Sequence, residues 1–282
     1  MKVDLSSPPI GVLGLGHLGS LLGLKYSNIY GSWGSWHKKP PKNLFLQNFK
    51  FEWGKKQSWK KIPEKEVTLI LTIPPLMDSL EKESIRLYKW CDWMKKYRPK
   101  LKRIVYVSTT GVYPKKNGFW HEKLKCEPDT NSGKLRLLTE KILSEYFSVN
   151  IVRSGGIYGY GRGIDVRLKS GKPIPVSRTP VHRIHVYDLS QIIIFIVKNP
   201  ESASCINAVD FEAKPSFEVA QWIVENCSGF SKKMLSISKD LSPRKKELTE
   251  RFISNKLLIE MGIKLRYPTF REGIKDIIKK SE

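Results

Sequence analysis

The 282-residue sequence lacks the features that mark several protein classes. Its longest aliphatic run, residues 192–197, falls far short of the ~20 residues that a membrane-spanning helix needs. Its four cysteines lie far apart, with no C-x-x-C pair and no histidine at zinc-ligand spacing. A hydrophobic content of 40% also separates it from disordered chains. These absences predict a globular, cytoplasmic protein with reduced cysteines, no membrane contact and no metal site.

Acidic residues are scarce relative to basic ones. The chain has 50 Lys+Arg against 27 Asp+Glu, which gives a formal net charge of +23. Such a charge indicates either a polyanionic partner or a surface that is simply rich in lysine. Because the lysines are spread over almost every segment and no groove-reading motif accompanies them, we favour the second interpretation and expect no nucleic-acid partner.

A glycine-rich turn follows the first apolar segment. Residues 10–13 have the pattern of a short buried strand, and the next glycines have the G-x-G-x-x-G spacing of a dinucleotide-binding turn, with a helix starting at residue 17 or 18. In that motif the glycines allow a tight turn, close approach of a pyrophosphate and close helix packing. A packing turn without a ligand is the alternative. The cofactor-binding residues expected here are Gly14, Gly16, His17, Leu18 and Gly19.

The end of the second expected strand, residues 28–33 or as far as 36, indicates which dinucleotide binds. An NAD site has an acidic residue there for the ribose 2′-hydroxyl, whereas the 2′-phosphate of NADP requires cations. No acidic residue occurs between Asp4 and Glu52, and the strand is followed by His37 and Lys38. The sequence therefore favours NADP, with NAD less expected, unless these cations are merely solvated.

Further alternation of strands and helices predicts the fold class. Residues 67–73 form a continuous β-rich run ending at two prolines, a helix is expected from about Asp78 to Tyr97, and another strand covers residues 103–108. This alternation indicates an α/β fold of the Rossmann type, a doubly wound parallel sheet. Ligands bind at the carboxyl ends of such strands. Residues 72–74 and 108–110 are expected on that rim, and Thr72, Ile73, Pro74 and Ser108 among them are expected to bind the cofactor.

Several segments in order resemble the extended short-chain dehydrogenase/reductase superfamily. They are 107–113 (VSTTGVY), 151–162 (IVRSGGIYGYGR) and 266–273 (RYPTFREG). Together with 117–122 (NGFWHE), they are most similar to the atypical YeeZ-like branch of the NAD(P)-dependent epimerase/dehydratase family.

The resemblance implies a division of the chain and a kind of substrate. It implies a dinucleotide-binding Rossmann domain of residues 1–158 and 184–212 and a smaller C-terminal substrate lobe of residues 159–183 and 213–282. It places Gly156 over the nicotinamide and Asp188 as the cap of a helix over 189–198. It further implies a small-molecule substrate, nucleotide-linked or phosphorylated, and a homodimer.

The family's catalytic tyrosine is missing. Catalytic members use Y-x-x-x-K, in which the lysine lowers the tyrosine pKa, together with a Ser or Thr that holds the substrate oxygen. None of the eleven tyrosines has Lys four positions on. By register, the Tyr and Lys positions fall on Ser132 and Arg136, and Thr109 matches the Ser/Thr position.

Two hypotheses follow from this departure. The first is an NADP-dependent oxidoreductase or epimerase-like enzyme with a displaced proton carrier, for which Tyr113, Tyr158 and Glu122 are the candidates. Each of the three also has an ordinary structural role open to it, as a packing aromatic or a surface carboxylate. The second hypothesis is a binding protein that senses NADP on the same fold without turnover.

Overall fold

A computed structural model describes residues 6–41, 47–76, 79–175, 179–235 and 250–280. Over these residues the chain forms eleven strands and nine α-helices. The strands are β1 (Ile10–Leu13), β2 (Trp33–Trp36), β3 (Gln47–Lys50), β4 (Thr68–Leu71), β5 (Arg103–Thr109), β6 (Gly118–Trp120), β7 (Ser148–Ser154), β8 (Gly156–Tyr158), β9 (Arg183–His185), β10 (Cys205–Ala208) and β11 (Arg251–Ile253). The helices are α1 (His17–Tyr26), α2 (Lys56–Trp59), α3 (Leu80–Tyr97), α4 (Asn131–Tyr146), α5 (Ile164–Lys169), α6 (Val186–Lys198), α7 (Ser216–Asn226), α8 (Lys256–Glu260) and α9 (Phe270–Lys279).

Seven strands form one sheet in the order β10-β7-β5-β4-β1-β2-β3. β1 pairs in parallel with both β2 and β4, and β2–β3 and β4–β5 are parallel as well. The chain therefore runs outward from β1 through β2 to β3 and then crosses to β4 on the other side of β1. This reversal is the switch point where doubly wound sheets bind ligands, outside the carboxyl ends of the strands. The predicted Rossmann-type fold is confirmed.

Two expected element boundaries differ from the structure. β2 begins at Trp33 and not at Asn28, because the preceding residues form turns in which Ile29 N donates to Tyr26 O (3.0 Å) and Gly31 has φ +87°. α3 begins at Leu80, and Ser79 caps it by accepting from Lys82 N (3.2 Å). The expected start at Asp78 lies outside the described residues.

The chain divides into two compact units. The first unit, which holds most of the seven-stranded sheet, comprises residues 1–113, 126–153 and 190–206. The second unit comprises residues 114–125, 154–189 and 207–282 and contains the small sheets β6–β11 and β8–β9. The functional division expected from the family resemblance stays a prediction.

Two kinds of feature are absent from the described ranges. None of the helices there combines the length with the apolar character that crossing a bilayer takes. Nor do three or more His, Cys, Asp or Glu side chains in those ranges come together where a metal ion could be held.

Asp188 has a different role from the one expected. It lies inside the first turn of α6, which begins at Val186, so it is not the helix cap. Its carboxylate accepts from the backbone N–H groups of Arg266 (2.8 Å) and Tyr267 (3.0 Å). Asp188 thus binds the segment that precedes α9 within the second unit. Because its partners are far away in the sequence, a local helix-capping pattern does not predict this contact.

Asp210 is a second buried carboxylate of the second unit. It is 1% exposed, its Oδ1 accepts from Arg183 N (3.3 Å), and its Oδ2 has no partner among the described residues. Burial raises the pKa of Asp210 to about 8, and hydrogen bonding from the backbone of Arg183 only partly opposes this.

Asp210 should therefore make stability fall with rising pH. The folded state keeps the proton up to about pH 8, whereas the unfolded state loses it near its ordinary pKa, so the free energy of unfolding decreases across this window. Asp210→Asn should remove this decrease and be more stable than the wild type at about pH 9 by about 1 kcal/mol or more. Denaturant unfolding between about pH 5 and pH 9 measures it. Glu225→Gln, at an exposed position of α7, is the control and should leave the pH profile unchanged. A wild-type slope retained in Asp210→Asn would contradict the assignment.

Candidate functional site

The turn after β1 is fixed by side chains from both neighbouring strands. Gly14 has φ +108°, a conformation that residues with a side chain rarely adopt. From the end of β4, Thr72 Oγ1 donates to Gly14 O (2.7 Å) and Leu13 O (3.1 Å). From β2, Ser35 Oγ accepts from Gly14 N (3.3 Å). The peptide groups around Gly14 are thereby held in one orientation at the switch point.

The other two glycines of the motif have separate reasons to be glycine. A Cβ on Gly19 would lie 2.0 Å from Gly14 O, so only glycine lets α1 pack this closely on the turn. A Cβ on Gly16 would meet nothing within 4 Å. Gly16 is the N-cap of α1, where no side chain caps the helix and the first turn has no acidic residue. The packing in the described residues therefore explains Gly19 and leaves open space at Gly16, beside a helix N-terminus that favours anions.

A cavity of about 470 Å³ lies beside this turn, within the size range of small-molecule sites. Seven of the predicted cofactor residues line it: Gly14, Gly16, His37, Lys38, Thr72, Ile73 and Pro74. Five others do not line it, and one of them, Gly156, belongs to the second unit. Leu18 and Gly19 are buried against β1, His17 is half-buried in α1, and Ser108 is buried in a separate network.

Apart from Ser35 and Lys39, the remaining described wall residues are apolar. They are Leu15, Trp36, Phe51, Trp53 and Leu76. Phe51 and Trp53 follow β3, and Trp53 stacks on Trp90 of α3 with ring centroids 5.2 Å apart. Only recognition of β3 as a strand ending at the same sheet edge would have pointed to these two aromatics.

The charge at the open end of the cavity is positive. His37, Lys38 and Lys39 are exposed and line it, and none of the lining residues in the described part of the chain is acidic. Glu52, the first acidic residue after the acid-free stretch, pairs with Lys50 and Lys55 and is not part of the lining. An anionic group at this end would meet cations without a competing carboxylate.

Thr109 and Ser132 are brought to neighbouring turns. Thr109 Oγ1 accepts from Gly111 N (3.1 Å) at the start of a single 3-10 turn, Thr110–Val112. A Cβ on Gly133 would lie 2.3 Å from Gly111 O, so the first turn of α4, which contains Ser132, packs directly on that turn.

Arg136, one helical turn after Ser132, is anchored to β5. Its Nη1 donates to Val107 O (2.8 Å) and to the hydroxyl of Tyr106 (3.2 Å). Burial raises the pKa of Tyr106, and the guanidinium of Arg136 only partly opposes this. Tyr106 therefore does not become the acidic phenol that the family's Tyr–Lys pair provides.

Ser108 and Tyr113 belong to a buried network in the first unit. Ser108 Oγ donates to Glu140, which forms an ion pair with Arg153 (2.8 Å). Arg153 Nη1 in turn donates to the Tyr113 hydroxyl (2.9 Å). Burial alone would lower the pKa of Arg153, but the hydrogen bond and negative charge of Glu140 outweigh it and raise the pKa. Tyr113, 1% exposed, thus accepts a hydrogen bond from a permanently charged group.

The three predicted residues in the second unit make structural contacts. Tyr158 is 4% exposed, its hydroxyl donates to Thr269 O (3.3 Å), and burial raises its pKa, which opposes a role as a base. Glu122 accepts from Asn207 N (2.8 Å). Gly156 N donates to His182 O (2.9 Å) in the β8–β9 pair.

In comparisons with known proteins, the sequence matches a relative over part of its length, and the fold matches solved structures over almost all of it. No protein-family model matches the chain. Protein YeeZ of Escherichia coli K12 is 30% identical over 110 residues, which is 38% of this chain and 40% of YeeZ. The match therefore spans well under two thirds of the relative's length.

Solved structures match along almost the whole chain. UDP-N-acetylglucosamine 4-epimerase from Bacillus cereus has a TM-score of 0.72 at 16% identity, covering 97% of this chain and 99% of that one. An L-threonine dehydrogenase from Cupriavidus necator has a TM-score of 0.75 at 16% identity, covering 98% and 100%. The dTDP-glucose 4,6-dehydratase of Bacillus anthracis, in complex with NAD, has a TM-score of 0.72 at 19% identity, covering 97% and 96%. The chain therefore has the fold of the epimerase/dehydratase structures, and its predicted resemblance to the YeeZ-like branch is confirmed.

Proposed function

We propose that the cavity at the β1/β4 switch point binds NADP. The observation that carries this proposal is the combination of open space at Gly16 with a cavity whose open end has cations and, among the described lining residues, no carboxylate. The pyrophosphate would lie against the N-terminus of α1, and the 2′-phosphate would contact His37 and Lys38. The apolar side of the cavity, with Trp36 and Trp53, suits the adenine ring. The NAD bound to the Bacillus anthracis dehydratase, on the same fold, supports a nicotinamide cofactor.

We further propose an oxidoreductase of the epimerase/dehydratase kind, acting on a small nucleotide-linked or phosphorylated substrate. When bound, the nicotinamide would exchange a hydride with the substrate. Thr109 would orient the substrate oxygen, because its own oxygen already accepts from Gly111 N and its proton remains to be donated. Arg136, fixed on β5, would supply the positive charge of the family's lysine from its remaining N–H groups.

A protein that senses NADP without turnover is the second candidate function. The contacts of the three candidate proton carriers favour it, since Tyr113 accepts from Arg153, Tyr158 is buried with a raised pKa, and Glu122 holds Asn207 N. If the protein binds NADPH but oxidises none of it in the presence of candidate substrates, the sensing function is supported.

NADPH should bind more tightly than NADH. Charge-assisted hydrogen bonds to the 2′-phosphate contribute about 1.5–3 kcal/mol, which corresponds to about 10- to 100-fold in the dissociation constant. Lys38→Glu should remove most of this preference, whereas Lys89→Glu, the same charge change at an exposed position of α3, should not. Fluorescence titration with both reduced cofactors measures it. Equal affinity for NADH and NADPH, or equal effects of the two variants, would contradict the assignment.

Gly16→Ala and Gly19→Ala should separate ligand binding from folding. The methyl group at Gly16 meets open space in the described residues but blocks the pyrophosphate path, so NADPH affinity should fall about tenfold or more with little change in stability. The methyl group at Gly19 collides with Gly14 O and should lower the free energy of unfolding by about 1–3 kcal/mol. NADPH titration and denaturant unfolding of both variants give the two readouts. Undiminished affinity in Gly16→Ala would refute the binding site.

Thr109→Val should abolish turnover without abolishing cofactor binding. Loss of one positioned hydroxyl donor is expected to slow the chemical step about 100-fold. Thr109→Ser, which keeps the hydroxyl, is the matched control and should retain most of the rate. The measurement follows nicotinamide absorbance across nucleotide sugars, aldehydes and ketones. A wild type that binds NADPH yet changes no compound of the panel would favour the sensing protein.

A further inference from the structure

Three exposed phenylalanines converge on one cavity of the second unit. Phe119, Phe211 and Phe252 are 57%, 47% and 43% exposed, and all three line a cavity of about 610 Å³. Large apolar side chains are normally exposed singly, and a concave cluster of them marks a binding surface. None of the residues assigned above to the dinucleotide or the reaction lines this cavity.

Two of these rings are stacked on each other. One of them also contacts a buried histidine, and the other is largely exposed to solvent. Phe119 and Phe252 are register partners on the parallel strands β6 and β11, and their centroids are 5.4 Å apart with an interplanar angle of 10°. The His182 ring packs against Phe252 in a T-shaped arrangement, with ring centroids 5.2 Å apart and an interplanar angle of 84°. The other end of the stack is Phe119, the most exposed of the three rings.

His182 gives the stack a rigid, uncharged support. It is 2% exposed, and its Nε2 accepts from Ile253 N (2.9 Å), which fixes the ring against β11. Burial, reinforced by the nearby Arg251 and Arg183, lowers the pKa of His182 to about 4. The imidazole is therefore neutral at physiological pH, and it gives Phe252 a fixed, uncharged neighbour.

The polar lining of the cavity contains two carboxylates, and one of them is paired with a cation outside the lining. Glu212 and Glu250 lie in the lining, and Glu212 is neutralised by Arg271, with N–O distances of 2.8 and 3.0 Å. Arg251 is also a lining residue, but it is 8% exposed and its Nε donates to Pro114 O (2.8 Å). Among the described lining residues, none offers an exposed cation. The described lining therefore offers no cation to a phosphate or carboxylate ligand.

We propose that this cavity is a binding site for a flat aromatic ring, neutral or cationic, that stacks on Phe119. The ligand ring extends the existing stack of Phe252 and Phe119, and a positive substituent would be attracted by the exposed carboxylate of Glu250 and by the faces of the rings. The ligand class differs from the anionic dinucleotide proposed for the first unit.

The test compares three small probes by ligand-observed NMR. Benzylamine has a ring and a positive charge, cyclohexylmethylamine has the charge without the aromatic ring, and benzoate has the ring with a negative charge. Benzylamine should show saturation transfer from the protein, and the other two should bind more weakly. An aromatic pair contributes about 0.5–1.5 kcal/mol beyond area burial, so Phe119→Leu should weaken benzylamine binding about two- to tenfold.

Two controls establish whether benzylamine binding depends on this cavity. Ile259→Ala removes an equally exposed apolar side chain of the second unit and should leave benzylamine binding unchanged. NADPH affinity should be the same in Phe119→Leu and wild type. The NADPH titration therefore tests the dinucleotide site, and the benzylamine measurement tests the phenylalanine cavity, each without depending on the other. Equal binding of benzylamine and cyclohexylmethylamine, tighter binding of benzoate, or no effect of Phe119→Leu would overturn the proposal. So would concentration-dependent self-association that Phe119→Leu abolishes, since a second copy would then cover the cavity.

Discussion

The hydrogen bond from Thr72 Oγ1 to the carbonyl of Gly14 is the contact on which the candidate site depends. It joins the ends of β1 and β4, the two strands between which the sheet reverses its winding. With Ser35 Oγ accepting from Gly14 N, it holds a peptide in a conformation open mainly to glycine. The oriented turn then sets how closely α1 can approach, and Gly19 is the residue that allows that approach. This hydrogen bond therefore sets the position of the α1 N-terminus beside Gly16 and of the cavity next to it.

Relative to the catalytic pattern of the family that the sequence resembles, the chain has a threonine and a cation at the matching positions, Thr109 and Arg136. It has Ser132 where that pattern has a tyrosine. Thr109 and Arg136 are placed by β5 and α4, and the ion pair of Glu140 with Arg153 lies buried beside the same two elements. Removing one partner of such a buried pair leaves an uncompensated charge, which typically costs about 3–5 kcal/mol. Ser132 stands at the position matched to the family's tyrosine, and a serine hydroxyl cannot ionise as a phenol beside a cation does. Under the proposed function, Thr109 and Arg136 would position the substrate, and a group other than Ser132 would carry the proton.

The residues of the site that belong to short local patterns could be predicted from the sequence. The residues whose positions depend on contacts between distant parts of the chain could not. The glycine spacing after β1 and the acid-free tip of β2 depend on a few consecutive residues, so Gly14, Gly16, His37 and Lys38 could be placed on the cavity wall from sequence. Phe51 and Trp53 could not, because their place depends on β3, a short and largely exposed strand without a clear alternating pattern. The same limit applies to Asp188, whose partners lie almost eighty residues away in the chain.

The most direct test of the central claim is a crystal structure of the protein with NADP⁺. We expect electron density for the pyrophosphate beside Gly16 at the N-terminus of α1 and for the 2′-phosphate beside His37 and Lys38. We also expect the Thr72–Gly14 hydrogen bond to be preserved in the complex. A dinucleotide bound away from the β1/β4 switch point, or bound there with its 2′-phosphate facing solvent and contacting neither His37 nor Lys38, would contradict it.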